Sequence, residues 1–269
     1  MRLSLWLLIA VGAIAALLAW AVFDPAFPSV PATSPDAQPS LGGVPPGHWL
    51  VGSGPIAANA HLMIQEPEGK AITHDIALFS LVTDSFQGLI AISMSESDRR
   101  WLRRGEDLMQ FRPEQGDVVP VDSSDERRGP LLGSALGLEE FFVGFQLDAY
   151  RQVGHTARGD GGLRITLAAP DSADTQVELT YARIDVEVDA DGRPIRWDTY
   201  DAAGSLGKTV VIEDYVNYQD QSVIGTVRVR DETTSIESTL TVSNREAHSL
   251  PSFGFTPATL QTMEVTESE

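Results

Sequence analysis

Apolar and polar residues alternate with a period of two along most of the chain, a pattern typical of β-strands that bury one face. In "AITHDIALF", the apolar residues Ile72, Ile76 and Leu78 share one parity. The same alternation recurs in "LIAISM" at 89–94 and in "SIESTLTVS" at 235–243. These stretches therefore predict strands with one buried and one solvated face.

Short turns rich in glycine and in acidic or small residues separate the alternating stretches. They lie at 66–69, 159–162, 190–192 and 202–204. Turns of this composition join antiparallel neighbours, whereas a parallel sheet needs a crossover helix between consecutive strands. The sequence therefore predicts a mainly β fold of about ten antiparallel strands.

One window has helical periodicity instead. The apolar residues of "GLEEFFVGFQLDAY" at 137–150 lie three or four positions apart, at Leu138, Phe141, Phe142 and Phe145. This spacing predicts an amphipathic helix. A single apolar helix among many strands indicates a helix that packs on, or plugs, an open barrel.

The N-terminal residues form a separate segment. Residues 3–23 are 21 uncharged and mostly apolar residues behind Arg2, and as a helix they would extend about 31 Å, enough to cross a bilayer. The run exceeds the apolar core of most signal peptides, although 19–21 fits a cleavage site. Residues 1–23 are therefore predicted to be a membrane anchor or a signal peptide, and either places the rest of the chain outside the cytoplasm.

Three further regions follow the leader. Residues 24–57 are predicted to be a proline-rich tether and lead-in, because seven prolines and few large apolar side chains stand between 24 and 47. Residues 58–263 are predicted to form the folded domain, and residues 264–269 an acidic tail. If residues 3–23 are retained, they anchor this domain to the inner membrane on its periplasmic side.

Composition excludes several functions. The formal net charge of −19 argues against a nucleic-acid partner, which requires a basic surface. The chain has no cysteine and therefore no disulfide or thiol nucleophile. Its five histidines lack the spacing of metal ligands, and no Gly-x-Ser-x-Gly motif occurs. We expect no metal, no cofactor and no enzymatic activity.

Several stretches resemble the outer-membrane lipoprotein-sorting protein family, the relatives of LolA. They are "RRWLRRGEDLMQFRPEQGDVVPV" at 99–121, "GPLLGSALGLEEFF" at 129–142, "YDAAGSLGKTVVIEDY" at 200–215 and "FGFTPATLQTM" at 253–263. The resemblance lies in the order and spacing of apolar strands, turns and the closing segment. It covers approximately residues 58–263.

The resemblance implies a LolA-like incomplete antiparallel β-barrel with one or two covering helices. It also implies a non-enzymatic carrier or chaperone whose apolar cavity holds the acyl chains of a lipid or lipoprotein. The candidate cavity residues are Ile76, Leu78, Ile92, Met109, Phe111, Phe141, Phe142, Phe145 and Trp197. Alternatively, the domain has no ligand of its own and is an accessory protein of an inner-membrane lipid exporter or another envelope complex.

A cluster of arginines is unusual in so acidic a chain. Its members are Arg99, Arg100, Arg103 and Arg104. At the mouth of a cavity they could bind lipid phosphates or an acidic partner. The other interpretation is an exposed turn that contributes little to stability, because its arginines pair with the neighbouring acidic residues Glu96, Asp98, Glu106 and Asp107.

Overall fold

A computed structural model describes residues 49–95, 99–170 and 179–263, which form one antiparallel sheet of thirteen strands. The strands are β1 (Gly54–Gln65), β2 (Ala71–Thr83), β3 (Phe86–Ser93), β4 (Arg100–Arg104), β5 (Asp107–Arg112), β6 (Asp117–Pro120), β7 (Arg151–Ala157), β8 (Leu163–Ala168), β9 (Arg183–Val188), β10 (Pro194–Tyr200), β11 (Leu206–Tyr218), β12 (Gln221–Asp231) and β13 (Glu237–Ala247). The described α-helices are short: α1 (Ser124–Arg128), α2 (Leu138–Phe142) and α3 (Pro257–Thr262).

The order of the strands explains how the chain covers its own sheet. From β1 the chain meanders to β6 at one edge, continues at β7 on the opposite edge, and returns strand by strand to β13, which pairs with β1. The residues between the two edges, 121–150, must therefore traverse the sheet, and we call them the crossing segment. The sheet itself is not closed into a barrel, since β6 and β7 are not paired with each other.

The prediction of a mainly β, open antiparallel fold is confirmed. The strands number thirteen instead of about ten because residues 100–120 form three short strands. Gly105 and Gly116 have φ values of 59° and 65° in the two turns between them. Glycine reaches this left-handed region without steric cost, so the chain can reverse direction after only a few residues.

The sheet buries apolar side chains on both faces. The larger cluster joins sheet residues such as Leu89 and Ala91 to the crossing segment, and we call that side the inner face. Ile90 and Ile92, which alternate with them along β3, belong to a smaller cluster with Phe255 on the outer face. The C-terminal segment 248–263, which contains α3, covers this outer cluster.

The predicted helix at 137–150 is much shorter in the structure. Helix α2 covers only Leu138–Phe142. Gly144 has a φ of 84° and Gln146 a φ of 49°, and such left-handed conformations end an α-helix. The apolar spacing that suggested a longer helix instead reflects the burial of Phe141, Phe142 and Phe145 against the inner face.

The predicted anchor or signal peptide at 1–23 and the acidic tail at 264–269 lie outside the described residues. Within 49–95, 99–170 and 179–263, no helix is long and apolar enough to span a membrane. The described fold begins inside the stretch predicted as tether and lead-in. Trp49, Leu50 and Val51 are buried there, and β1 starts at Gly54.

Candidate functional site

The crossing segment and the inner face enclose the largest apolar region of the described fold. Phe141 and Phe142 are completely buried, and their rings meet edge to face with centroids 5.0 Å apart. The same cluster contains three leucines of the crossing segment, Leu131, Leu136 and Leu138. The crossing segment therefore packs on the sheet through large side chains, most of which precede or belong to the short helix α2.

An aromatic group extends this region toward β10. Phe145 lies edge-on to Trp197 at 5.1 Å and to Trp49 at 5.9 Å between ring centroids. Trp49 also donates from Nε1 to the carbonyl oxygen of Phe141, at 3.2 Å. The lead-in before β1, the crossing segment and β10 are thus joined through three rings.

On the inner face, two indole N–H groups and one hydroxyl group have no hydrogen-bond partner among the described residues. The two indole N–H groups belong to Trp101 and Trp197, whose side chains are 2% and 3% exposed, and the third group is the hydroxyl of Ser80. A buried polar group left unsatisfied costs about 1–3 kcal/mol, so nearly all such groups in folded proteins find a partner. The inner face therefore offers three unused donors, two indole N–H groups and one hydroxyl, to a carbonyl oxygen or a water molecule.

Arg103 on β4 attaches the crossing segment to the first half of the sheet. Its guanidinium donates to the carbonyl oxygens of Phe142 and Gly105, each at 2.8 Å, and to Oε1 of Gln87 at 3.0 Å. Burial lowers the pKa of this guanidinium, while the charge of Glu106 raises it. The contact with Phe142 places a cation at the C-terminal end of α2, where carbonyl groups lack helical partners.

Glu140 attaches the same segment to the other half of the sheet. Its carboxylate accepts from Lys208 Nζ on β11 at 2.6 Å and from the backbone N–H of Gly137 at 2.7 Å, and also from the hydroxyl of Tyr181. The side chain of Glu140 is buried, with 8% exposed, and that of Lys208 is largely buried, with 13% exposed. Burial and then the Glu140 charge raise the pKa of Tyr181, which keeps the phenol neutral. Between these two attachments, the backbone N–H of Ala135 donates to Oγ of Ser238 at 2.9 Å.

The structure brings six of the nine predicted cavity residues together. The residues in the inner cluster are Ile76, Leu78, Phe141, Phe142, Phe145 and Trp197. The other three pack in the outer cluster, and they are Ile92, Met109 and Phe111. The strands β3 and β5 bury apolar residues on both faces, so their sequence pattern does not reveal which parity faces inward.

The four arginines do not form an exposed turn. Residues 100–104 are strand β4, and its alternation directs Arg103 to the inner face and Arg100 to the outer face. Arg100 donates to the carbonyl oxygens of Leu260 and Gln261, at 3.3 and 3.0 Å. Both arginines bind backbone carbonyl groups, which the interpretation as surface ion pairs did not include.

Several side chains of this region did not stand out in the sequence. Trp49 preceded the predicted domain, and Trp101 lay inside the arginine cluster. Glu140 and Lys208 are far apart in the sequence, and only the strand order brings them into contact. The one available signal was an acidic residue in the middle of an otherwise apolar helical window. In the part of the chain that the structure describes, no group of three or more potential ligands could hold a metal.

A family model matches residues 89–262, from β3 to the last helix, and its description reads "-like: Uncharacterized protein". The chain belongs to this family. A search of the curated proteins found no match.

Solved structures identify the fold. An outer membrane lipoprotein-sorting protein domain from Vibrio parahaemolyticus has a TM-score of 0.65 at 19% identity, covering 77% of this chain and 92% of that one. A DUF1329 family protein from Desulfovibrio piger has a TM-score of 0.65 at 15% identity, with 76% and 90% covered. A LolA superfamily protein from Nitrosomonas europaea has a TM-score of 0.59 at 18% identity, again with 76% and 90% covered. The fold is LolA-like.

Proposed function

We propose that the protein is an extracytoplasmic carrier or chaperone, tethered to the inner membrane, which holds the acyl chains of a lipid or lipoprotein between the crossing segment and the inner face. The proposal assigns it no enzymatic activity. The LolA-like fold supports it, and the observation that carries it is the pair of buried indole N–H groups of Trp101 and Trp197. Ester or amide carbonyl groups next to an acyl chain would accept these hydrogen bonds.

The energetic gain from an apolar chain in this region is large enough for binding. Each methylene removed from water contributes about 0.8 kcal/mol, so about ten methylenes give a gross gain near 8 kcal/mol. Ordering the ligand and immobilising side chains offset part of this gain. In the structure the region is filled by Phe141 and Phe142, so a ligand must displace the crossing segment to occupy it.

The test prevents this displacement. The chain contains no cysteine, so a pair introduced by Ala135→Cys and Ser238→Cys would form the only disulfide and would link the crossing segment to β13. The hydrogen bond of 2.9 Å from the backbone N–H of Ala135 to Oγ of Ser238 shows that the two residues are direct neighbours, which a disulfide requires. We expect the oxidised variant to lose its binding of a fluorescent fatty-acid probe. Reduction of the disulfide should restore this binding.

The matched control is a disulfide outside the inner face. His61 and Asp75 are opposite partners on β1 and β2, and both side chains are exposed. A disulfide from His61→Cys and Asp75→Cys should leave probe binding unchanged in both redox states. Unchanged probe binding by the oxidised 135–238 variant would show that the ligand does not enter beneath the crossing segment.

A second candidate function is supported by the filled inner face itself. Phe141 and Phe142 are 0% exposed, as expected of an accessory protein of an inner-membrane lipid exporter that binds no ligand of its own. Native mass spectrometry of the purified protein separates the two functions. A co-purifying lipid supports the carrier, whereas a ligand-free protein that also fails to bind the fatty-acid probe supports the accessory protein.

A further inference from the structure

A small pocket lies beside the crossing segment, immediately after α2. Its walls include Glu139, Phe145, Gln146, Tyr150 and Tyr181. The space within it is about 20 Å³, which is enough for one group the size of a water molecule. The pocket has aromatic walls and carboxylate oxygens, and none of its lining residues is cationic.

The pocket adjoins the proposed acyl compartment through a single ring. Phe145 is nearly parallel to Tyr181, with centroids 6.4 Å apart and an angle of 21° between the rings. The edge contacts of the same phenylalanine with Trp197 and Trp49 lie in the inner cluster. A ligand group in the pocket would therefore be one side chain away from an acyl chain beneath the crossing segment.

Glu139 is the polar group of the pocket with unused capacity. Among the described residues, its carboxylate has one side-chain hydrogen bond, a long one of 3.5 Å from Nε2 of Gln146. An ionised carboxylate can accept about four hydrogen bonds. The neighbouring Glu140 is already bound to Lys208, Gly137 and Tyr181. A donor that enters the pocket would find its acceptor in Glu139.

The charges around Glu139 also constrain the ligand. Burial has the largest effect and raises the pKa of this carboxyl; the charges of Arg127 and Arg128 lower it, and the smaller effects of Glu140 and Glu106 raise it. The guanidinium of Arg127 donates to the carbonyl oxygens of Val121 and Glu106. No cationic side chain lines the pocket beside Glu139, and burial remains the largest influence on its carboxyl.

We propose that this pocket binds a primary ammonium group, carried by the headgroup of the lipid whose acyl chains lie beneath the crossing segment. This inference rests on the proposed carrier function. An ammonium group supplies three N–H donors to Glu139 and to the aromatic faces of Phe145 and Tyr181. Space for one water-sized group suits a primary ammonium group better than the bulkier trimethylammonium group. A phosphate group would meet the carboxylates of Glu139 and Glu140 and no cationic lining residue.

The test compares headgroups at constant acyl length. The full chain in amphipol is titrated, by displacement of a fluorescent fatty-acid probe, with dihexanoyl phosphatidylethanolamine, phosphatidylcholine and phosphatidylglycerol below their micellar concentrations. We expect the ethanolamine lipid to bind at least about tenfold more tightly than the other two, which corresponds to one charge-assisted contact. Glu139→Gln should abolish this preference without changing the affinity for the choline and glycerol lipids.

Glu114→Gln is the matched control, because Glu114 is an exposed residue of the turn between β5 and β6. It should retain the preference. Free ethanolamine should not displace the probe at concentrations at which its lipid does; equal potency would assign the pocket to a free amine and overturn the headgroup proposal.

The remaining outcomes distinguish this inference from the carrier function. Equal affinity for the three lipids, a preference for phosphatidylglycerol, or a preference that survives Glu139→Gln would overturn the ammonium site and leave the carrier intact. If none of the lipids and no fatty-acid probe binds, the carrier function fails, and the headgroup site fails with it.

Discussion

The two faces of the sheet are covered in the same way by unrelated parts of the chain. On the inner face, Arg103 holds the carbonyl end of α2, and on the outer face, Arg100 holds the carbonyl end of α3. Both arginines belong to β4, where Trp101 and Leu102 stand between them in the sequence. One strand therefore binds both the inner cover, which is the crossing segment, and the outer cover, which is the segment 248–263. Each cover contains a completely buried phenylalanine, Phe142 in the inner one and Phe255 in the outer one.

The faces differ in how their polar groups are satisfied. Under the outer cover, both ring nitrogens of His248 are hydrogen-bonded, to the carbonyl oxygen of Ser80 at 2.8 Å and to the backbone N–H of Leu250 at 3.0 Å. On the inner face, the indoles of Trp101 and Trp197 have no acceptor among the described residues. Buried donors of this kind are rare in folded proteins, and an ordered water or a ligand acceptor would satisfy them. The comparison therefore supports the proposal that the inner face, and not the outer one, binds the ligand.

The largest expected effect comes from truncating the two buried phenylalanines. Phe255→Ala should lower the free energy of unfolding by about 3–5 kcal/mol, because it leaves a void in a filled core, and it should not change the affinity for a fluorescent fatty-acid probe. Phe142→Ala should also destabilise the protein, but it should change probe affinity as well. Urea denaturation and probe titration of both variants measure the two quantities.

Two results from these variants would contradict the difference between the two faces. If Phe255→Ala changes probe affinity at a concentration where the protein remains folded, the outer face is part of the binding region. If Phe142→Ala costs the full core value and the unmutated protein binds no probe, both covers are structural, and the accessory-protein function is the better one.

A smaller effect is expected from the two arginines of β4. Arg103→Gln removes the donor to the carbonyl oxygen of Phe142 from a buried site, and we expect a loss of about 1–3 kcal/mol in the free energy of unfolding. Arg100→Gln should cost less, because Arg100 is more exposed, and it should leave lipid binding unchanged. Arg104→Gln is the control, because Arg104 is an exposed residue at the end of β4. Equal stability of all three variants would contradict the proposal that Arg103 stabilises the attachment of the crossing segment to β4.

Much of the sheet could be predicted because its turns and strand periods are local properties. The chain reverses at Glu66–Gly69, where the backbone N–H of Glu66 donates to Lys70 at 2.9 Å and that of Gly69 to Glu66 at 2.9 Å. The parity of Ile76 and Leu78 also predicted that they share one buried face, which in the structure is the inner face. The alternation failed as a guide on β3, where Leu89 faces inward and Ile90 outward and both are buried.

The polar part of the site depends on contacts between distant residues. Glu140 and Lys208 meet because β11 lies in the half of the sheet that the crossing segment reaches last. No local pattern predicts that meeting. The helix at 137–150 was predicted too long for a related reason, since apolar spacing marks burial, and only the positive φ of Gly144 and Gln146 shows where the helix ends.

The smallest effect concerns the pH dependence of stability near the inner cover. Burial raises the pKa of Glu139 in the folded protein, so its contribution to stability is fully present below the ordinary glutamate pKa and is lost as the pH rises through the raised value. Glu139→Gln cannot ionise, so we expect it to be slightly more stable than the unmutated protein at neutral pH and to show a smaller loss of stability across this interval. Urea denaturation between pH 4 and pH 8 measures the difference, with Glu114→Gln as the control for the loss of one negative charge.

A bound primary ammonium group should have the same effect as the substitution, because it stabilises the ionised carboxylate. Saturating dihexanoyl phosphatidylethanolamine should therefore reduce the pH dependence of the unmutated protein and leave that of Glu139→Gln unchanged, whereas the same response in both proteins would separate the ammonium group from Glu139.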